Sequence, residues 1–72
     1  MIMNEFQEKY LKDIFKKRKI EKTDINVEYR GKKKRYHYYV VMLPESQIVL
    51  TTTRLYMVSD IQAAIRALVN HE

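Results

Sequence analysis

Apolar residues along this chain recur with two different periods, and the change of period divides it into elements. Over residues 4–19 the spacing is helical: Met3, Phe6, Tyr10 and Ile14, with Leu11 and Phe15 one step round, form a stripe wide enough to pack on a sheet. Asn4 with Gln7 reads as a capping box, Glu5 and Glu8 suit the positive end of the helix dipole, and Lys16, Lys17, Arg18 and Lys19 suit its negative end. The period then drops to two. Ile25, Val27 and Tyr29 alternate with Asn26, Glu28 and Arg30 as in a half-buried strand, and residues 36–43 form a β-branched and aromatic run that is apolar at every position but one. A strand apolar on both faces belongs in the middle of a sheet. Residues 48–53 follow a short loop around Pro44 and read as an edge strand, because three consecutive threonines tolerate partial exposure. The helical period returns with Ile61, Ala64, Ile65, Leu68 and Val69, preceded by a second capping signature at Ser59 and Gln62, and predicts a helix to about residue 70.

The expected fold class is therefore α+β, in the order α-β-β-β-α. It is a three-stranded antiparallel sheet packed with N- and C-terminal helices, and residues 1–72 form a single compact domain. Leu43 opposite Ile48 and Val41 opposite Leu50 would put His37, Tyr39, Val41 and Leu43 on one face and Tyr36, Tyr38, Val40 and Met42 on the other. The first strand is harder to place. A four-residue tip with Arg30 opposite Arg35 sends Ile25, Val27 and Tyr29 to the second face, whereas a slip of one residue sends them to the first. Either way the central strand has two apolar faces. The helices cover one face each, or share one and leave the other for a partner.

Composition narrows the chemistry. There is no cysteine, which removes disulfides and cysteine-ligated zinc and fits a cytoplasmic setting. The N-terminus, with Glu5 and Glu8 and no apolar core segment, does not read as a targeting peptide. His37 and His71 are the only histidines, and no carboxylate pair stands at ligand spacing, so no metal site is expected. The one glycine, Gly31, cannot make a phosphate-binding loop, and Ser59 is accounted for by capping, so no catalytic residue, cofactor or small-molecule substrate is expected. The expectation is a binding module and not an enzyme.

Charge points to what it binds. Fourteen Lys and Arg against nine Asp and Glu give a formal charge of +5. The excess is concentrated at a hairpin tip, Arg30, Lys32, Lys33, Lys34 and Arg35, followed at once by Tyr36, and at the end of the first helix, Lys16, Lys17 and Lys19. Cations beside aromatic rings suit a phosphate backbone with stacked bases, so nucleic acid, DNA or RNA, is the first expected partner. A solvated turn and helix-dipole compensation account for the same residues without a ligand. The alternative partner is an acidic protein surface, met through Tyr36, Tyr38, Val40 and Met42 or a strand edge, as in the short inhibitors that phages direct at host or defence machinery, with a homodimer as one form. No helix joins a basic face to a bulky exposed apolar one, so a membrane is not an expected partner.

From Val27 to Ile65 the order strand, basic turn, aromatic strand, strand, capped helix resembles the amino-terminal DNA-binding domain of tyrosine-type integrases. The resemblance implies a sheet laid in the major groove, with Tyr29, Arg30, the basic tip, Tyr38, Thr51, Thr53 and residues 56–63 at the matching positions. It spans about half the chain. Leu55-Tyr56 stand where that family has a glycine-aromatic pair, and the helix over residues 4–19 has no counterpart, so no family is assigned from it.

Overall fold

The computed structural model describes residues 5–69, with side chains from Glu8 onward, and has the predicted order. The elements are α1 (Glu5–Lys17), a single 3-10 turn at Lys22–Asp24, β1 (Asn26–Lys33), β2 (Tyr36–Leu43), β3 (Ser46–Thr52) and α2 (Val58–Arg66). The strands form one antiparallel sheet in the order β1-β2-β3, so the run apolar on both faces is indeed central. The expected contributions of Met3 and Asn4 to α1, and of Asn70 and His71 beyond α2, lie outside the described residues, and those of Phe6 and Gln7 outside the described side chains.

Each helix ends differently from its sequence signal. α1 turns the chain inward through Lys19, whose φ of 54° lets the Ile20 N–H donate to the Phe15 carbonyl at 2.9 Å and the Lys19 N–H to Lys16 at 3.3 Å. These paired bonds, with Phe15 and Ile20 both buried, make a Schellman C-cap in which lysine occupies glycine's usual place. α2 begins at Val58, one residue before Ser59, with Met57 as its N-cap, and no side chain caps it. The expected capping box is not formed, because Gln62 is drawn to the sheet instead: its Oε1 accepts the Val27 N–H at 3.0 Å. One turn on, Arg66 donates Nη2 to the Ile25 carbonyl at 2.9 Å. Two long side chains of α2 thus satisfy backbone groups at the start of the edge strand, which would otherwise be open for pairing.

Register decides the faces. β3 pairs Leu43 with Ser46, Val41 with Ile48 and Tyr39 with Leu50 around a two-residue turn, a shift of two from the expected pairing. An even shift keeps every side chain on its expected face. β1 pairs Val27 with Val41 and Tyr29 with Tyr39, then passes through an irregularity at Arg30 that sets Gly31 opposite Tyr38 and Lys33 opposite Tyr36. Arg30 therefore does not face Arg35. The shift from that pairing is odd along Asn26–Tyr29, so Val27 and Tyr29 join Tyr39, Val41, Ile48 and Leu50 on the first face.

Both helices cover that first face. The core joins Leu11 and Phe15 of α1, Ile20 and Ile25 of the connection, and Ile61, Ile65 and Val69 around Tyr39, Val41, Leu43 and Leu50. Tyr10, expected in the α1 stripe, stays 53% exposed, and Leu11, Ile14 and Phe15 carry the contact. Tyr39 is fully buried, yet its hydroxyl donates to the Tyr56 carbonyl and accepts the Tyr56 N–H, both at 2.7 Å. One phenol thereby fixes the β3–α2 connection over the sheet. Removing the hydroxyl with Tyr39→Phe leaves two backbone groups without a partner and should lower unfolding free energy by about 1–3 kcal/mol in a urea titration. Lys19→Gly should raise it by about 0.5–1 kcal/mol, because glycine takes the left-handed cap without the strain of a Cβ. No change in midpoint for either variant would contradict the corresponding contact.

Candidate nucleic-acid interface

The β1–β2 hairpin ends in a run of exposed charged side chains. Its turn is the two residues Lys34 and Arg35, with positive φ, 60°, at Lys34 alone, so the tip is two residues shorter than the pattern suggests. Gly31 is not in the turn. It lies at the irregularity in β1 with a φ of 99°, a backbone shape that L side chains adopt only under strain, and this is where the chain absorbs the extra residue. Along residues 28–36 every side chain is exposed and Gly31 is intermediate.

The cations are not equivalent. Arg30 is held by Glu28 at 2.9 Å, the only ion pair within 4 Å among the described residues, and both partners are about half exposed. Arg35 lies over the Tyr36 ring, 5.9 Å from its centre, so its charge stays at the tip beside an aromatic surface. Lys32, Lys33 and Lys34 are exposed and make no ion pair among the described residues. The strand alternation puts Lys33 and Tyr36 on the open face and Lys32 and His37 on the helix-covered one.

The second basic cluster stands elsewhere. Arg18 at the end of α1 donates Nη1 to the Ser46 hydroxyl at 2.6 Å, and Ser46 pairs with Leu43, the last residue of β2. The tip meets β2 at Tyr36, its first residue. Seven residue steps of a strand separate the two ends, roughly 23 Å. Lys16, Lys17 and Lys19 therefore do not extend the positive surface of the tip; the molecule, 38 Å in its longest dimension, carries one basic cluster toward each end of its sheet.

Of the residues expected at a protein interface, Tyr36, Tyr38, Val40 and Met42 all lie on the face that no helix covers. Val40 is nevertheless buried, at 5% exposure, and is absent from the helix-packed core, so its neighbours on the same face shield it. Val49, on β3 opposite Val40, is 54% exposed on the same face. A shallow cavity of about 290 Å³ opens on this face, lined by Arg30, Gly31, Lys32, Lys33, Tyr38, Val40 and Val49. One pair escapes sequence reading: the Tyr29 hydroxyl and His37 Nδ1 are 2.9 Å apart across the hairpin on the other face. Only a known register makes them neighbours. Among the described residues no group of His, Asp and Glu is arranged to hold a metal ion, and no helix is long and apolar enough to cross a membrane.

Comparison with protein-family models, curated proteins and solved structures finds no match to this chain.

Because Gly31 alone supplies the positive φ at the irregularity, Gly31→Ala should destabilise the domain by about 1–3 kcal/mol even though the added methyl meets no atom within 4 Å. Thermal unfolding of this variant that matched the parent would mean that strain at this position does not set the hairpin geometry.

Proposed function

We propose that this protein is a non-enzymatic nucleic-acid-binding module whose primary contact is the β1–β2 hairpin tip. The observation that carries the reading is the group of exposed cations at the hairpin end, Lys32 and Lys33 at the close of β1 and Lys34 and Arg35 in the two-residue turn, joined to Tyr36 on the open face. In this reading Lys33 and Lys34 contact phosphates, Arg35 and Tyr36 act together at the edge of the tip, and Arg30 is a weaker contributor because Glu28 already engages it. Lys16, Lys17 and Lys19 then serve as a separate, long-range attraction at the far end, not as part of the same footprint.

The open face supports a second reading, a surface that binds a protein partner through Tyr36, Tyr38, Val40 and Met42. The exposed Tyr36 and Val49 and the half-buried Tyr38 and Met42 around the buried Val40, on a face that no described helix covers, favour it. Its affinity would depend weakly on salt, because apolar contacts release no counterions.

The two readings separate in a salt titration. Replacing Lys33 and Lys34 by alanine should weaken nucleic-acid binding and reduce the slope of log K against log salt by about 1.4–1.8, the contribution of two phosphates. Stability should stay within about 0.5 kcal/mol, since both side chains are exposed. Unchanged affinity for DNA and RNA with both lysines reversed to glutamate would rule out the tip as the contact.

A further inference from the structure

We infer that the open sheet face beside the tip is a stacking platform for single-stranded nucleic acid, with bases on Tyr36 and Tyr38 and the sugar-phosphate backbone led in by Lys33, Lys34 and Arg35. This rests on the nucleic-acid reading of the tip and adds the strandedness of the ligand. The face is continuous with the cations: Lys33 pairs with Tyr36, Gly31 with Tyr38, and the Arg35 guanidinium lies against the Tyr36 ring. Tyr36 is 39% exposed. Two rings on alternate positions of one strand stand about 7 Å apart, within reach of neighbouring unstacked bases. The side chain that would sit opposite Tyr38 is missing because the position is Gly31, and an added Cβ there would meet nothing within 4 Å. That gap is the cavity of about 290 Å³, room for a planar ring and far more than the ~30 Å³ of a water. Paired bases in a duplex present only their edges, so a flat aromatic surface of this kind is used only by bases that are unpaired.

Charge argues against a second copy of the chain on the same face. A two-fold axis along the strands brings tip onto tip. An axis across them brings each tip to the partner end, where the exposed carboxylates Glu21 and Glu45 stand among Arg18, Lys19 and Lys22. The first sets cations against cations, and the second offers the tip no net acidic patch. The face, three strands wide and about 23 Å long, also offers on the order of 300 Å², well short of the ~800 Å² per partner of a standard interface. A polyanion meets neither obstacle, and none of these contacts needs a 2′-hydroxyl, so DNA and RNA strands are equivalent ligands.

Fluorescence anisotropy with labelled 12-nucleotide oligo-dT, 12-nucleotide oligo-rU and a 20-base-pair DNA duplex tests this at fixed salt. The single strands should bind at least about 10-fold more tightly than the duplex and within a few-fold of each other. Tyr36→Ala should weaken single-strand binding by about 5- to 100-fold, leave duplex binding within about twofold, and be rescued by Tyr36→Phe, which keeps the ring. Tyr38→Phe should likewise bind as the parent does, with circular dichroism confirming that each variant is folded. Equal binding of strand and duplex, or Tyr36→Ala binding as the parent while the Lys33/Lys34 reversal abolishes binding, overturns the platform and leaves the tip reading standing. Failure of all three probes to bind overturns both. Sedimentation showing a dimer that Tyr36→Ala dissociates also overturns the platform.

Discussion

The structure depends on how β1 lies against β2. With Tyr29 opposite Tyr39 and Val27 opposite Val41, the apolar residues of all three strands that need cover point the same way. Had β1 paired one residue off, Val27 and Tyr29 would have faced away from the helices, and each face would have been half apolar. The pairing holds because the irregularity at Arg30 and Gly31 lets the hairpin close on Lys34 and Arg35 while Asn26–Tyr29 keep the register that burial requires. Everything else follows from this placement, including the helices gathered on one side and the sheet face left open.

On the covered side, polar side chains settle what apolar packing leaves loose. Leu11, Phe15, Ile61 and Ile65 fill the core but could slide over a surface of valine and leucine. Tyr39 removes that freedom by holding the backbone of Tyr56, and Gln62 and Arg66 hold the start of β1. A small domain has little buried area to spend on uniqueness, so directional contacts of this kind matter more than in a large one. They also close one end of the β1 edge, which leaves the hairpin tip and the open face as the surfaces most available to a partner.

Several features of the candidate site were legible in the sequence and others were not, for reasons that differ by residue. The clustering of Arg30, Lys32, Lys33, Lys34 and Arg35 before Tyr36 is a property of neighbours along the chain, and it carried through to the folded tip. The relation between that tip and Lys16, Lys17 and Lys19 is a property of distance through space, and the fold holds the two clusters apart. Gly31 reads in sequence as a turn residue, since both a turn and a bulge use positive φ; only the pairing of Lys33 with Tyr36 assigns it to the bulge. Ser59 and Gln62 have the spacing of a capping box, yet the competing partner for Gln62, the Val27 N–H, lies 35 residues away. Local pattern cannot weigh a partner that only folding brings near.

By itself the sequence determined the element order, the α+β class, the central position of β2, the two faces of β2 and β3, and the concentration of cations at a hairpin. These follow from period, local propensity and nearest-neighbour charge, which act over a few residues. Tertiary structure alone decided the face joined by β1, the choice of both helices to share it, the separation of the two basic clusters and the exposure of Tyr36 beside an empty position at Gly31. Those outcomes turn on strand register, where a shift of one residue inverts every side chain, and register is selected by the burial of the whole core and not by any segment within it.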